Sequence, residues 1–156
     1  MLVCVNFVNL NIFWIFGKYE DYSIRFISNA IAKSLFWLPI TLRQNRRFSY
    51  LYIDDLMPII ERFIENEQKY KSYNIVPDNY VELRDIAYIV SNIAGGTDVK
   101  IASDWYWLDY YGSNERLKNE YKDVEFTSIN EAILELYNWY RKNINKQIFI
   151  KHCCLI

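Results

Sequence analysis

Tyr50-Leu51-Tyr52-Ile53-Asp54-Asp55-Leu56 is a short apolar run that halts at two aspartates. Directly after it, Leu56, Ile59, Ile60, Phe63 and Ile64 recur at helical spacing, while Glu61, Arg62, Glu65 and Asn66 occupy the other face. The spacing predicts a strand feeding an amphipathic helix. Asp55 is the expected N-cap, because its carboxylate can accept the free amides of the first turn. That start puts Pro58 at the third helical position, where a missing N–H costs nothing. A strand delivered into a helix in this way is a βα unit, and it predicts an α/β protein.

The pattern extends in both directions. Upstream, Val3, Val5, Phe7, Val8, Leu10, Ile12, Phe13 and Ile15 read as one strand buried on both faces, as in a parallel sheet. A helix follows with Ile24, Ile27, Ile31 and Leu35 on one face, ending before Pro39. Ile40-Thr41-Leu42 is a short extended piece, and residues 44–47 form a polar loop. Downstream, Tyr73-Asn74-Ile75-Val76 reads as a strand. Asn79 with Glu82 resembles a capping box, opening a helix through Leu83, Ile86, Ala87 and Val90 that stops at Gly95-Gly96. Val99-Lys100-Ile101-Ala102 is a further strand, residues 105–111 are aromatic and irregular, and residues 114–121 form a short helix. Ser128 with Glu131 caps a last helix that buries Ile129, Ala132, Ile133, Leu136, Tyr137 and Tyr140.

The 156 residues are enough for one domain with a core, and 52% of them are hydrophobic. A net charge of −1 supplies no global field for nucleic acid or anionic lipid. Cys4 stands apart from the adjacent Cys153 and Cys154, so no disulfide framework is expected and a reducing cytoplasm is the natural setting. His152-Cys153-Cys154 has metal-ligand residue types, but neighbouring side chains close poorly on one ion, and no metal site is expected. The first sixteen residues are too short and too polar for a membrane span and have no cationic start.

Four pieces in order, Leu10 with Ile15-Phe16-Gly17, Arg25-Phe26-Ile27-Ser28-Asn29-Ala30-Ile31, Pro39-Ile40-Thr41-Leu42 and Tyr50-Leu51-Tyr52-Ile53-Asp54-Asp55-Leu56, carry a resemblance. Tyr73-Asn74-Ile75, Asn114-Glu115-Arg116-Leu117, Glu131-Ala132-Ile133 and Trp139-Tyr140 extend it. Together they resemble the C-terminal half of the NAD-dependent epimerase/dehydratase family, the extended short-chain dehydrogenases that act on nucleotide sugars. The resemblance implies the last parallel strands and small substrate-binding α/β subdomain of a Rossmann-like fold over residues 1–145, with 146–156 as a tail. It also implies that the N-terminal dinucleotide-binding half is missing. These residues contain no glycine-rich turn between a strand and a helix, and none of the 14 tyrosines has Lys four residues on. No catalytic residue is therefore assigned. NAD or NADP serves the complete family, and none is expected to be bound by this chain alone.

By the same resemblance, Phe13, Trp14 and Ile15 fall where the family brings backbone near the nicotinamide and the sugar. Asn11 and Trp14 replace the Arg and the Asn or Gly that members often carry there; a plain buried strand end is the alternative. Ser28 and Asn29 fall on the helix lining the nucleotide-sugar cleft, or are exposed fillers. The family's diphosphate-binding Arg stands seven residues before the second aspartate, where this chain has Phe48. Arg47, then Arg46 or Arg43, are the replacements, against the alternative of a solvated basic loop. Ser113 stands near the family's aspartate, and Trp105, Tyr106 and Trp107 could stack on a base or simply pack. Asp54 and Asp55 read as helix-start residues rather than a catalytic pair.

Two functions follow. One is a truncated nucleotide-sugar epimerase, dehydratase or reductase homologue that contributes the sugar-nucleotide half and is inactive alone. The other is a non-catalytic module that completes a sheet with a partner N-terminal chain or with a second copy of itself. An RNA- or DNA-binding role for Arg43, Arg46 and Arg47 with Tyr50 lacks a basic face to support it.

Overall fold

The computed structural model describes residues 7–102 and 108–144. The chain runs β1 (Asn9–Asn11), β2 (Trp14–Phe16), α1 (Phe26–Leu35), β3 (Ile40–Leu42), β4 (Arg47–Phe48), β5 (Tyr50–Tyr52), α2 (Ile53–Glu65), β6 (Ser72–Asn74), β7 (Val81–Glu82), α3 (Leu83–Ile93), β8 (Val99–Ile101), α4 (Glu115–Glu120) and α5 (Ile129–Asn143). The pairs β1–β6, β2–β5 and β3–β8 are parallel, and β4–β7 is antiparallel. Parallel pairs joined through helices are the α/β architecture that the sequence predicts.

β5 shows why the opening stretch is so apolar. Tyr50 and Tyr52 pack into a cluster with Phe16, Ile27, Ile31, Ile86, Ile133 and Leu136, between the strands and helices α1, α3 and α5. Leu51, on the opposite face, joins a second cluster with Leu56, Ile59, Tyr73, Ile75 and Leu117. Successive side chains of a strand point to opposite faces, so a strand with a core on each side cannot alternate with polar residues. At the end of β2, a Cβ on Gly17 would lie 2.2 Å from Ile53 Cγ2, so only glycine admits this approach to the start of α2.

The structure corrects several local expectations. The opening segment is not one strand buried on both faces: β1 and β2 are separated at Ile12 and Phe13, and Asn9 and Asn11 are exposed. Alternation of Asn9, Leu10 and Asn11 is a half-buried pattern, with only Leu10 turned toward the second cluster. Its expected start at Val3 and Val5 lies outside the described residues, as do Trp105, Tyr106, Trp107, His152, Cys153, Cys154 and the tail. Ile24 precedes α1 and is exposed.

Asp55 is not the N-cap of α2. The helix begins at Ile53 with Tyr52 as its cap, and Pro58 lies inside it. The Asp55 carboxylate accepts instead from Thr127 N at 3.0 Å and Thr127 Oγ1 at 2.6 Å, tying the first turn of α2 to the lead-in of α5. Asn79 and Glu82 form no capping box either. Helix α3 begins at Leu83, and Asn45 Oδ1 accepts from Arg84 N at 3.1 Å, so a side chain distant in sequence bonds its first turn. The Ser128–Glu131 capping box is present in both directions.

Candidate functional site

A cavity of about 310 Å3 opens between β2, the loop after it, α1, β3 and β4. Trp14, Phe48 and Tyr50 supply aromatic wall, and Arg25, Arg43 and Arg46 are among the residues that line it. Their positions follow from local structure. Arg25 immediately precedes α1, and its guanidinium carbon stands 5.6 Å above the Trp14 ring. Arg46 enters β4 with its own guanidinium 5.0 Å over the Phe48 ring and Nε donating to Leu108 O at 2.9 Å. Phe48 is itself buried, so the ring fills the strand position and Arg46 spreads across it. Stacked guanidinium groups keep their in-plane donors available, which suits bidentate binding of phosphate oxygens.

One carboxylate shares the cavity. Glu20 Oε2 accepts from Ser28 Oγ at 2.5 Å, and Ser28 is fully buried on α1. Burial pushes the Glu20 carboxyl above its ordinary range, against the opposing pull of the Ser28 bond and the Arg25 charge. Burial likewise raises the Tyr50 phenol; the Glu20 charge adds to the rise, and Arg25 and Arg46 oppose it.

The residues expected from sequence are distributed as follows. Trp14, Ile15 and Arg46 line the cavity. Ser28 reaches it through Glu20. Asn29 turns away, donating from Nδ2 to Tyr22 O at 2.8 Å. Asn11 is on the other cluster's strand pair, donating to Ser72 Oγ at 3.0 Å and Asn74 Oδ1 at 3.2 Å. Phe13 packs its ring 5.0 Å from that of Tyr110. Arg47 is engaged elsewhere: it pairs with Glu82 at 3.5 Å and Asp109 at 3.8 Å and lies 5.1 Å over the Tyr80 ring. Of the arginines weighed from sequence, Arg46 and Arg43 are therefore in the cavity and Arg47 is not among its lining. Glu20, Arg25 and Tyr50 are additional to the nucleotide-sugar candidates; Arg25 opens a quoted motif and Tyr50 enters from sequence only beside the arginines for nucleic acid, while Glu20 has no signal beyond standing three residues after Gly17. Asp54 pairs with Lys18 at 3.1 Å, so both aspartates of the pair have structural partners.

A second cavity of about 340 Å3 is bounded by Pro77, Asp78, Tyr80, Phe126 and Ser128, and shares Phe16 and Tyr50 with the first. Among the described residues, no three His, Cys, Asp or Glu side chains gather as they would around a metal ion. No described helix is long and apolar enough to cross a membrane. A dinucleotide is poorly matched by the glycines present: Gly95 and Gly96, with φ of +88° and +102°, follow the C-terminus of α3. Carbonyls, not amides, are exposed at that end, the wrong polarity for a pyrophosphate.

No protein-family model matches the sequence, and no curated protein does either. Solved structures do match the fold. The dTDP-glucose 4,6-dehydratase of Bacillus anthracis, solved with NAD, superposes with a TM-score of 0.75 at 19% identity, over 86% of this chain and 44% of that one. A putative epimerase from Burkholderia cenocepacia gives 0.76 at 17%, over 87% and 47%. The UDP-glucuronic acid 4-epimerase of Bacillus cereus, solved with UDP-glucuronic acid and NAD, gives 0.72 at 17%, over 88% and 46%. The chain thus has a Rossmann-like α/β fold of the kind seen in sugar-nucleotide epimerases and dehydratases, and spans under half the length of these structures.

Proposed function

We propose that this chain supplies the sugar-nucleotide side of an NAD- or NADP-dependent epimerase, dehydratase or reductase, in the C-terminal part of that fold. The observation that carries the reading is the convergence of Arg25, Arg43 and Arg46 on one aromatic-walled cavity. Three cations against one carboxylate leave the cavity net positive, which suits the two phosphates of a nucleoside diphosphate sugar. Trp14, Phe48 and Tyr50 offer flat area for a ring at low entropy cost. Ser28 fixes Glu20, and Trp14 and Ile15, which the family resemblance sets near the nicotinamide, line the same cavity. In a complete enzyme the cofactor would take and return a hydride at a sugar carbon. No step is assigned to it in these residues. The cysteine spacing, which offers no disulfide framework, supports a cytoplasmic setting.

Calorimetric titration with UDP and UDP-glucose tests the reading. Charge-assisted hydrogen bonds are worth about 1.5–3 kcal/mol each, so Arg46→Ala should weaken binding by about ten- to a hundredfold. Arg47→Ala, whose pairs are with Glu82 and Asp109 and not with cavity residues, should change affinity by less than about threefold. Absence of binding at millimolar ligand, or an Arg46→Ala protein that binds normally, would overturn it.

A second reading is favoured by the strand edges. Among the described residues β1 and β2 are each paired on one side only, β1 with β6 and β2 with β5. A complementing N-terminal chain or a second copy could add a strand there. Light scattering of the purified protein distinguishes this: a monomer at all concentrations contradicts self-pairing.

A further inference from the structure

A third cavity, of about 310 Å3, lies between the turn after β2 and the C-terminal end of α5. Tyr19, Tyr22, Trp139 and Tyr140 are four aromatic residues of its lining, and Glu20 is the one charged residue among the described lining. The Tyr19 ring meets Trp139 at 5.0 Å and 72°, Trp139 meets Tyr140 at 5.0 Å and 82°, and Tyr140 meets Tyr22 at 6.3 Å and 80°. Such steep angles turn the aromatic wall through corners instead of flattening it into a stack. The Tyr140 hydroxyl also donates to Glu20 O at 3.2 Å, fastening the turn to the helix. Tyr19 holds a φ of +66°, a conformation that glycine or asparagine adopts with less strain, yet 86% of its surface is exposed. Burial does not offset that strain, which points to a use for the ring outside the core.

The chemistry of the walls selects the occupant. Aromatic faces are negative and a carboxylate adds to them, so an anion is repelled and a cation attracted. A bare ammonium is strongly hydrated and would lose that water against rings that accept few hydrogen bonds. An N-methylated ammonium spreads its charge beneath apolar methyl groups, so it leaves water easily and meets the ring faces directly. Arg25 lies over Trp14 and Arg46 over Phe48, so the chain's own cations serve those rings, whereas no Lys or Arg is among the described lining here. Arg25 acts on Glu20 from the arginine cavity, which Glu20 also borders. We infer that Tyr19, Trp139, Tyr140 and Glu20 form a binding site for a trimethylammonium group. The site is separate from the arginine cavity's proposed ligand and does not depend on it.

Calorimetric titration of the whole chain with choline and with 3,3-dimethylbutan-1-ol, its neutral carbon analogue, separates charge from shape. Choline should bind saturably and at least about tenfold more tightly than the alcohol. Tyr19→Ala should weaken choline about tenfold and Tyr19→Phe by less than about twofold, because the ring and not the hydroxyl makes the contact. A peptide carrying one trimethyl-lysine, titrated beside its unmodified twin, identifies the source of the group. Tighter binding than choline assigns it to a protein side chain, and weaker binding to a free small molecule. No saturable binding of choline or of the methylated peptide, equal affinity for choline and the alcohol, or full affinity in Tyr19→Ala overturns the inference. The comparison of choline with the alcohol uses the native protein alone, so it decides even where a variant unfolds. UDP binding is untouched by any of these outcomes, so the two proposals fail separately.

Discussion

Trp37 holds a φ of +59° just beyond the last turn of α1, and 75% of its surface is exposed. Leu38 N reaches back to Lys33 O at 3.0 Å, the closure that ends a helix through one left-handed residue. Glycine is the usual occupant, because a side chain in that conformation costs about 1–2 kcal/mol. Trp37→Gly should therefore raise unfolding free energy by up to about 1 kcal/mol, after the extra entropy of the unfolded glycine is subtracted. Urea denaturation measures it, and a loss of stability would show that the indole packs usefully. Asp78 illustrates a charge effect at the same scale. Burial would raise its carboxyl, but bonds from Asn114 at 2.8 Å and Lys118 at 3.0 Å prevail and hold it below the ordinary range. A depressed pKa stabilises the fold above the unfolded-state value, and that contribution disappears as pH falls through the folded-state value. Asp78→Asn should accordingly be less stable than the native protein near neutrality, with the gap closing below about pH 4, where the unfolded carboxylate protonates.

Helix starts separate what a sequence reveals from what it conceals. The box at α5 joins Ser128 to Glu131, residues within one turn, and is legible from spacing alone. At α3 the first-turn amide of Arg84 is bonded by Asn45, 39 residues earlier, and at α2 Asp55 faces Thr127, 72 residues later. Such partners exist only once the chain has folded, so local spacing assigned these roles to Asn79 and Asp55 itself. Asn45 is 4% exposed; its Oδ1 also accepts from Arg46 N at 3.1 Å, and its Nδ2 donates to Glu82 at 2.7 Å. Asn45→Ala should cost about 1–3 kcal/mol, because the part-buried amides of Arg84 in α3 and of Arg46 just before β4 lose their acceptor. It should also weaken UDP binding by displacing Arg46. The helices were readable from the amphipathic faces of α2, α3 and α5, and β5 from its apolar run ahead of α2, whereas β4 and β7, which pair only across 35 residues of chain, fell in stretches read as a loop and a helix cap. The cavity was only partly readable: order along the chain gave Trp14 and Arg46, whereas Glu20, Arg25 and Tyr50 become neighbours only through packing.

At the scale of the whole molecule, the match over 86–89% of this chain but 44–47% of each solved structure makes activity a separate question from fold. The 156 residues contain no Tyr with Lys at the fourth following position and no glycine-rich turn between strand and helix. Incubation of this chain with UDP-glucose and NAD should therefore yield no change in nicotinamide absorbance and no altered sugar by chromatography; turnover would refute the proposed division of labour. The split between β1 and β2 has a mechanical consequence. Leu10 is anchored in the Leu51 layer, whereas Trp14 and Phe16 are anchored against the three-helix layer. Tension applied at residue 7 would peel β1 away from Ser72–Asn74 and then stall at Trp14, where the load passes to Tyr50–Tyr52. The interruption at Ile12 and Phe13 thus acts as a rip-stop between a strand held through Leu10 alone and one gripped on both faces, by Trp14 and Phe16 on one and Ile15 on the other.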